Sequence, residues 1–159
     1  MPEYDFQSNV YFYKAVADMA YLEGVLTDKG ITVDTAAATV KTATRNRTTG
    51  TSAYNYDSAA LTEIAEKVQE ALQATTNDSD HTGFWSEKTG RFVAGYSEKE
   101  GKWYDYGYVM WNLEAIYYGI PTEEQTKEIM DWISGRRIVE EDVYGSQGED
   151  IYFFEFAPR

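Results

Sequence analysis

Residues 84–135 read FWSEKTGRFVAGYSEKEGKWYDYGYVMWNLEAIYYGIPTEEQTKEIMDWISG. Two short aromatic runs at its start flank Glu87-Lys88-Thr89-Gly90, and Gly90 suits a backbone with positive φ. The spacing predicts a β-hairpin over residues 84–97. A helix is expected next, from Tyr106 to Tyr118. Val109, Met110, Leu113, Ile116 and Tyr117 form one apolar stripe, with Trp111, Glu114 and Tyr118 opposite, so this helix is apolar on two sides. Gly119 and Pro121 stop it. Thr122-Glu123-Glu124-Gln125 then has capping-box spacing. It opens a helix to Ser134 with Ile129, Met130 and Ile133 as its stripe and Gly135 as its stop.

Upstream, a helix is expected from about Ser8, read as its N-cap, to Leu26. Val10, Ala17, Tyr21 and Val25 lie along one side, and Phe12, Met19, Leu22 and Leu26 along another. Such a helix is buried on more than one side, and Lys29-Gly30 ends it. Residues 58–74 give a cleaner amphipathic helix, capped by Asp57 or Ser58. Leu61, Ile64, Ala65, Val68 and Leu72 face inward there, with Glu63, Glu66, Lys67 and Glu70 outward. Between these two helices, residues 31–56 are rich in Thr, Ala, Asn and Arg and read as a long loop or insertion. Two-sided and one-sided helices therefore alternate. Inner and outer layers of an α/α array produce that alternation, and so does an irregular bundle.

Composition narrows the function. The chain has 159 residues, one domain's length. Its 14 Lys and Arg against 27 Asp and Glu leave a net charge of −13. Nucleic-acid backbones and anionic membranes would be repelled. With no Cys, disulfides, thiolate nucleophiles and Cys-ligated zinc are excluded, and the single histidine, His81, excludes a His-rich metal site. No cofactor or metal is expected. Asp78-Ser79-Asp80-His81-Thr82-Gly83 has the opening of a calcium loop, but Thr89 stands where the bidentate Glu belongs, so it reads as a polar loop. No apolar run approaches the ~20 residues of a membrane span, and the N-terminus carries no signal-peptide pattern. Aromatic residues are the surplus, at 16%.

The 84–135 stretch, the opening NVYFYKAVADMAYLEGVL and the closing EDIYFFEFAPR resemble bacterial six-hairpin glycosidases. That (α/α)6-barrel superfamily includes glucoamylases, trehalases and glycogen-debranching enzymes. The Tyr118–Gln125 helix junction, YGIPTEEQ, is similar to one that recurs there. The resemblance implies a mainly α fold, helical hairpins of an α/α toroid, with one short β-hairpin. It also implies part of a glycoside hydrolase acting on oligo- or polysaccharide. A closed barrel needs twelve helices, or roughly 190 residues at ordinary helix and loop lengths. The 159 residues are thus expected to be a segment of a larger barrel, inactive alone. The ending Ala157-Pro158-Arg159, straight after an aromatic run, points the same way.

Glycoside hydrolysis needs two carboxyl groups beside the scissile bond. Asp105, in Trp103-Tyr104-Asp105-Tyr106-Gly107, is one candidate, because neighbouring rings would desolvate it. Its other reading is the N-cap of the following helix. Glu114, amid apolar helical residues beside Trp111 and Tyr118, is the second. It reads either as a buried acid or as part of a solvated face. Asp150 reads as a turn residue. Trp103, Tyr104, Tyr106 and Trp111 are the candidate substrate-binding rings, with core packing as their alternative role. Two other functions stay open: a non-catalytic carbohydrate-binding module and a helical interaction or scaffold domain. The apolar faces of the 8–26 and 106–118 helices would lack a neighbour in a truncated barrel, so self-association through them is expected.

Overall fold

The structure, a computed structural model, describes residues 3–31 and 57–137. The expected loop at 31–56, except Ile31, and the tail with Asp150 lie outside the described residues. Four helices and five short strands are present among the described residues. Strand β1 (Tyr4–Asp5) leads into α1 (Phe6–Asp28), and α2 (Ser58–Gln73) follows. Strands β2 (Trp85–Ser86), β3 (Arg91–Phe92), β4 (Gly95–Ser97) and β5 (Lys102–Tyr104) come next, then α3 (Val109–Tyr117) and α4 (Glu123–Ile133). The fold is mixed rather than purely helical.

The hairpin expected over 84–97 forms only as the short antiparallel pair β2–β3, with Trp85 opposite Phe92 and Ser86 opposite Arg91, while Gly95–Ser97 joins a different ladder. A second antiparallel ladder was not foreseen. It has the order β1-β4-β5, with Tyr4 opposite Tyr96 and Tyr96 opposite Trp103. The sequence reading stopped short of it because Ser97–Lys102 is charged and lacks strand formers. Gly101, at φ +65°, makes the turn there.

Helix α1 is capped three residues earlier than expected. Asp5 is its N-cap, accepting the Ser8 amide at 2.9 Å, so Ser8 lies inside the first turn. The expectation that α1 is buried on two sides is also corrected. Phe6, Val10, Val16 and Ala20 are buried, whereas Phe12, Met19, Tyr21 and Leu22 are each more than half exposed. Helix α2 behaves as read: Asp57 caps it, and Leu61, Ala65 and Leu72 are buried. The two helices lie close because small residues meet. Ser58 Oγ donates to Ala20 O at 2.8 Å, and a Cβ on Gly24 would sit 3.4 Å from that same hydroxyl.

The main core lies where α1, the β2–β3 hairpin, α3 and α4 converge. Phe6 stacks on Phe92 at 4.7 Å, Trp85 meets Phe92 edge-on at 5.3 Å, and Leu72, Ala115, Ile120, Ile129 and Trp132 close around them. Each of the large side chains fully buried there, such as Phe6, Leu72, Ile120 and Ile129, contributes about 1.5–3 kcal/mol. The α3–α4 junction is tied to α2 by polar side chains. Gln73 Nε2 donates to Ile120 O at 2.6 Å and Gln125 Nε2 to Gln73 O at 2.8 Å. The capping box of α4 forms as expected.

The buried face of α3 is displaced from the expected stripe. Met110 and Tyr117 are 53% and 83% exposed, and the innermost residues are Asn112 and Ala115. Asn112 is buried because it serves as a partner for a strand. Its Oδ1 accepts the Phe92 amide at 2.9 Å, and its Nδ2 donates to Tyr108 O at 3.0 Å. A polar residue used this way is invisible to an apolar stripe. On α4 likewise, Trp132 is buried where Met130 was expected.

Asn112→Leu should cost about 1–3 kcal/mol by denaturant unfolding, since the Phe92 amide loses its buried acceptor. A loss under about 0.5 kcal/mol, the range of a neutral surface change, would show that the clamp is dispensable.

Candidate functional site

From Lys102 to Tyr108 the chain alternates strictly, even beyond the end of β5. Trp103, Asp105 and Gly107 are buried, while Lys102, Tyr104, Tyr106 and Tyr108 are half-buried. This is the period of an extended chain, whose successive side chains point to opposite faces. It separates residues that adjoin in sequence. The outward rings form a continuous row: Tyr104 to Tyr106 at 5.3 Å, Tyr106 to Tyr108 at 5.2 Å, and Tyr108 to Trp111 at 4.3 Å. The row passes from strand to helix without a break.

Three of the four expected binding rings, Tyr104, Tyr106 and Trp111, therefore come together, and Tyr108 joins them. Trp103 does not. It is 4% exposed, packs edge-on against Tyr96 at 5.1 Å, and its Nε1 donates to Asp78 Oδ1 at 2.8 Å. The alternation places Trp103 in the core packing that was its alternative role.

Asp105 lies on the inner side. It is not the N-cap of α3, which starts at Val109 with Tyr108 as its cap residue. Its carboxylate faces Arg91, whose Nε lies 2.9 Å from Oδ1 and 3.1 Å from Oδ2, and Oδ1 also accepts the Gly107 amide at 3.0 Å. Both side chains are under one-tenth exposed. The Arg91 guanidinium lies 4.4 Å from the Trp132 ring. On another side a Cβ at Gly107 would stand only 3.1–3.2 Å from three guanidinium atoms. Asp105 thus holds the turn that carries the ring row. The aromatic desolvation expected for it is replaced by a buried cation.

Glu114, in the middle of α3, is half-buried. It accepts a hydrogen bond from Gln7 Nε2 on α1. It stands three residues beyond Trp111, hence on the same helical face. At the opposite end of the row, Tyr104 donates its hydroxyl to Glu100, and Lys102 Nζ lies 4.7 Å over the Tyr104 ring. The hydrogen bond to Glu100 raises the Tyr104 phenol above the ordinary tyrosine range and lowers Glu100 below the usual carboxylate range. A row of rings with carboxylates at both ends offers flat apolar faces beside hydrogen-bond acceptors.

Among the described residues, no group of three or more His, Asp or Glu side chains is placed to hold a metal ion, including at Asp78–Gly83. In that loop Asp80 bonds Thr82, and His81, at φ +58°, stacks on Tyr96 at 3.8 Å. No helix among the described residues is long and apolar enough to cross a membrane. No family model, curated protein or solved structure matches this chain.

Two outcomes follow from this geometry. Gly107→Ala should destabilise the fold by about 2–4 kcal/mol, because φ is +63° there and the new methyl meets Arg91; an unchanged denaturation midpoint would contradict the packing. Glu100→Gln should bring the Tyr104 phenol down towards the ordinary tyrosine range. Ring-carbon NMR across an alkaline titration reads this, and an unmoved Tyr104 titration would show that the hydroxyl is not held by Glu100.

Proposed function

We propose that this chain is a saccharide-binding part of a glycoside hydrolase of the six-hairpin kind, with its helices as segments of an α/α toroid. The observation that carries the reading is the row Tyr104–Tyr106–Tyr108–Trp111, ending near Glu114. Sugar CH groups stack on such rings while hydroxyls donate to neighbouring carboxylates, the mixed apolar and polar lining of a ligand site. The row rests on a strand end and a helix start, a rigid support for binding groups. The helix–turn–helix unit of α3 and α4 and the exposed apolar residues Phe12, Met19 and Leu22 of α1 are what a segment of a larger helical array would present.

In this reading Glu114, on the same face of α3 as Trp111, is the candidate acid. Asp105, engaged by Arg91 and Gly107, acts on the site by fixing the ring-bearing turn. Two carboxyl groups poised about a glycosidic bond require surrounding structure to hold them. The isolated chain is therefore expected to bind sugar without cleaving it.

A second reading has its own support. Phe12, Met19 and Leu22 lie exposed on one side of α1, and contiguous apolar surface of this kind marks interfaces. A helical interaction domain, self-associating through α1, would use it. Met19→Glu would then abolish a dimer seen by light scattering.

The test of the main reading is titration with gluco-oligosaccharides followed by tryptophan fluorescence. Trp85, Trp103 and Trp132 are buried, so the change should come from Trp111 and vanish in Trp111→Phe. Tyr106→Ala should weaken binding about tenfold, as for a central aromatic contact. No response at millimolar oligosaccharide, or robust hydrolysis of a glucoside panel by the chain alone, would overturn the proposal.

A further inference from the structure

Helices α1 and α2 enclose an open pocket of about 330 Å³, away from the aromatic row. Its floor is small: Ala17, Ala20 and Ala65 line it, and the last two are 6% exposed. Tyr13 and Tyr21 supply aromatic walls, the first half-buried and the second largely exposed. The rest of the lining comes from Ser58, Thr62, Glu66 and Gln69 of α2.

The hydrogen-bond state of these four residues is one-sided. Ser58 Oγ spends its proton on Ala20 O at 2.8 Å, and Thr62 Oγ1 spends its own on Ser58 O at 2.8 Å. The Gln69 amide nitrogen donates to Gly119 O at 2.7 Å and to Ile120 O at 3.2 Å. What these groups retain for a ligand is oxygen lone pairs. Glu66 adds a carboxylate, and it forms no ion pair among the described residues. The nearest lysine in sequence, Lys67, bonds Glu63 at 2.6 Å. The α2 lining therefore presents acceptors and negative charge, beside two tyrosine rings, in a chain of net charge −13.

We infer that this pocket binds an organic cation, an ammonium or guanidinium group attached to an apolar body. The cation donates to the oxygen rim, its charge faces Glu66 and the tyrosine rings, and the apolar body rests on the alanine floor. An anion finds no α2 donor there. A neutral apolar molecule covers these acceptors without donating to them, which costs free energy. The same chemistry is carried by a free amine and by a Lys or Arg side chain of a peptide. This site is independent of the saccharide reading, and neither stands or falls with the other.

Amide NMR of the whole chain tests it with three probes: phenethylammonium, its neutral analogue phenylethanol, and an acetylated Gly-Arg-Gly amide. The cations should shift amides of residues 17–21 and 62–69 saturably, and phenylethanol, which keeps a hydroxyl donor but no charge, should bind several-fold more weakly. Tighter binding of the peptide assigns the pocket to a peptide side chain, and binding of phenethylammonium at least as tight assigns it to a free amine. Glu66→Gln and Tyr21→Ala alter rim residues and leave the core intact. Each should weaken the cation about threefold, the scale of one exposed ion pair or cation–π contact. Equal binding of phenylethanol, unchanged affinity in Glu66→Gln, or shifts confined to other elements would overturn the assignment.

Discussion

Arg91 and Asp105 meet where four parts of the fold come together. Arg91 belongs to β3, Asp105 follows β5, Trp132 of α4 lies against the guanidinium, and Gly107 packs on it just before α3. Charges buried this deeply are tolerated only when paired and hydrogen-bonded, and removing one partner strands the other at a cost of about 3–5 kcal/mol. The pair therefore fixes the relative placement of the hairpin, the second ladder and the α3–α4 unit. A hydrophobic contact in the same place would hold the elements with less directional constraint, because its strength depends on area rather than angle. Gly107 is required twice over, by its positive φ and by the closeness of the guanidinium.

That constraint also orders the surface. With Asp105 turned inward, alternation turns Tyr104 and Tyr106 outward, and the Gly107 turn passes the row to Tyr108 and onto Trp111. The inner and outer sides of one short segment thus do separate jobs. The inner side ties the fold together and the outer side presents rings. A comparable division holds on α1, where Phe6, Val10, Val16 and Ala20 enter the cores while Phe12, Met19 and Leu22 remain at the surface. Apolar residues are not all inside, and those left outside are where partners are to be sought.

Much of the fold was legible in the sequence, because its signals are local. The cap of α2, the capping box at Thr122, the stop at Gly119 and the turn at Gly90 each rest on a few adjacent residues. The parts that were not legible depend on distant partners. Ser8 looked like an N-cap until Asp5, entering from β1, took the role. Asn112 lies in the interior because Phe92 offers it backbone groups, and no periodicity of α3 encodes that. Tyr104, Tyr106 and Tyr108 at alternate positions were a strand signature in plain view. Tyr106 and Tyr108 are instead read into the start of a helix, and Tyr104 into the stretch before it, because aromatic residues suit either state. Trp103 and Asp105 are grouped with those rings because they adjoin them in sequence. Arg91, the inner counterpart of Asp105, carried no sequence signal beyond its place in the hairpin.

The central claim is that the buried Arg91–Asp105 pair governs this arrangement. A double-mutant cycle with Arg91→Met and Asp105→Leu, read by denaturant unfolding, tests it most directly. Each single variant should lose about 3–5 kcal/mol, and the double variant should lose no more than the worse single, since it buries no unpaired charge. Losses that simply add, with no coupling between the two positions, would contradict the account.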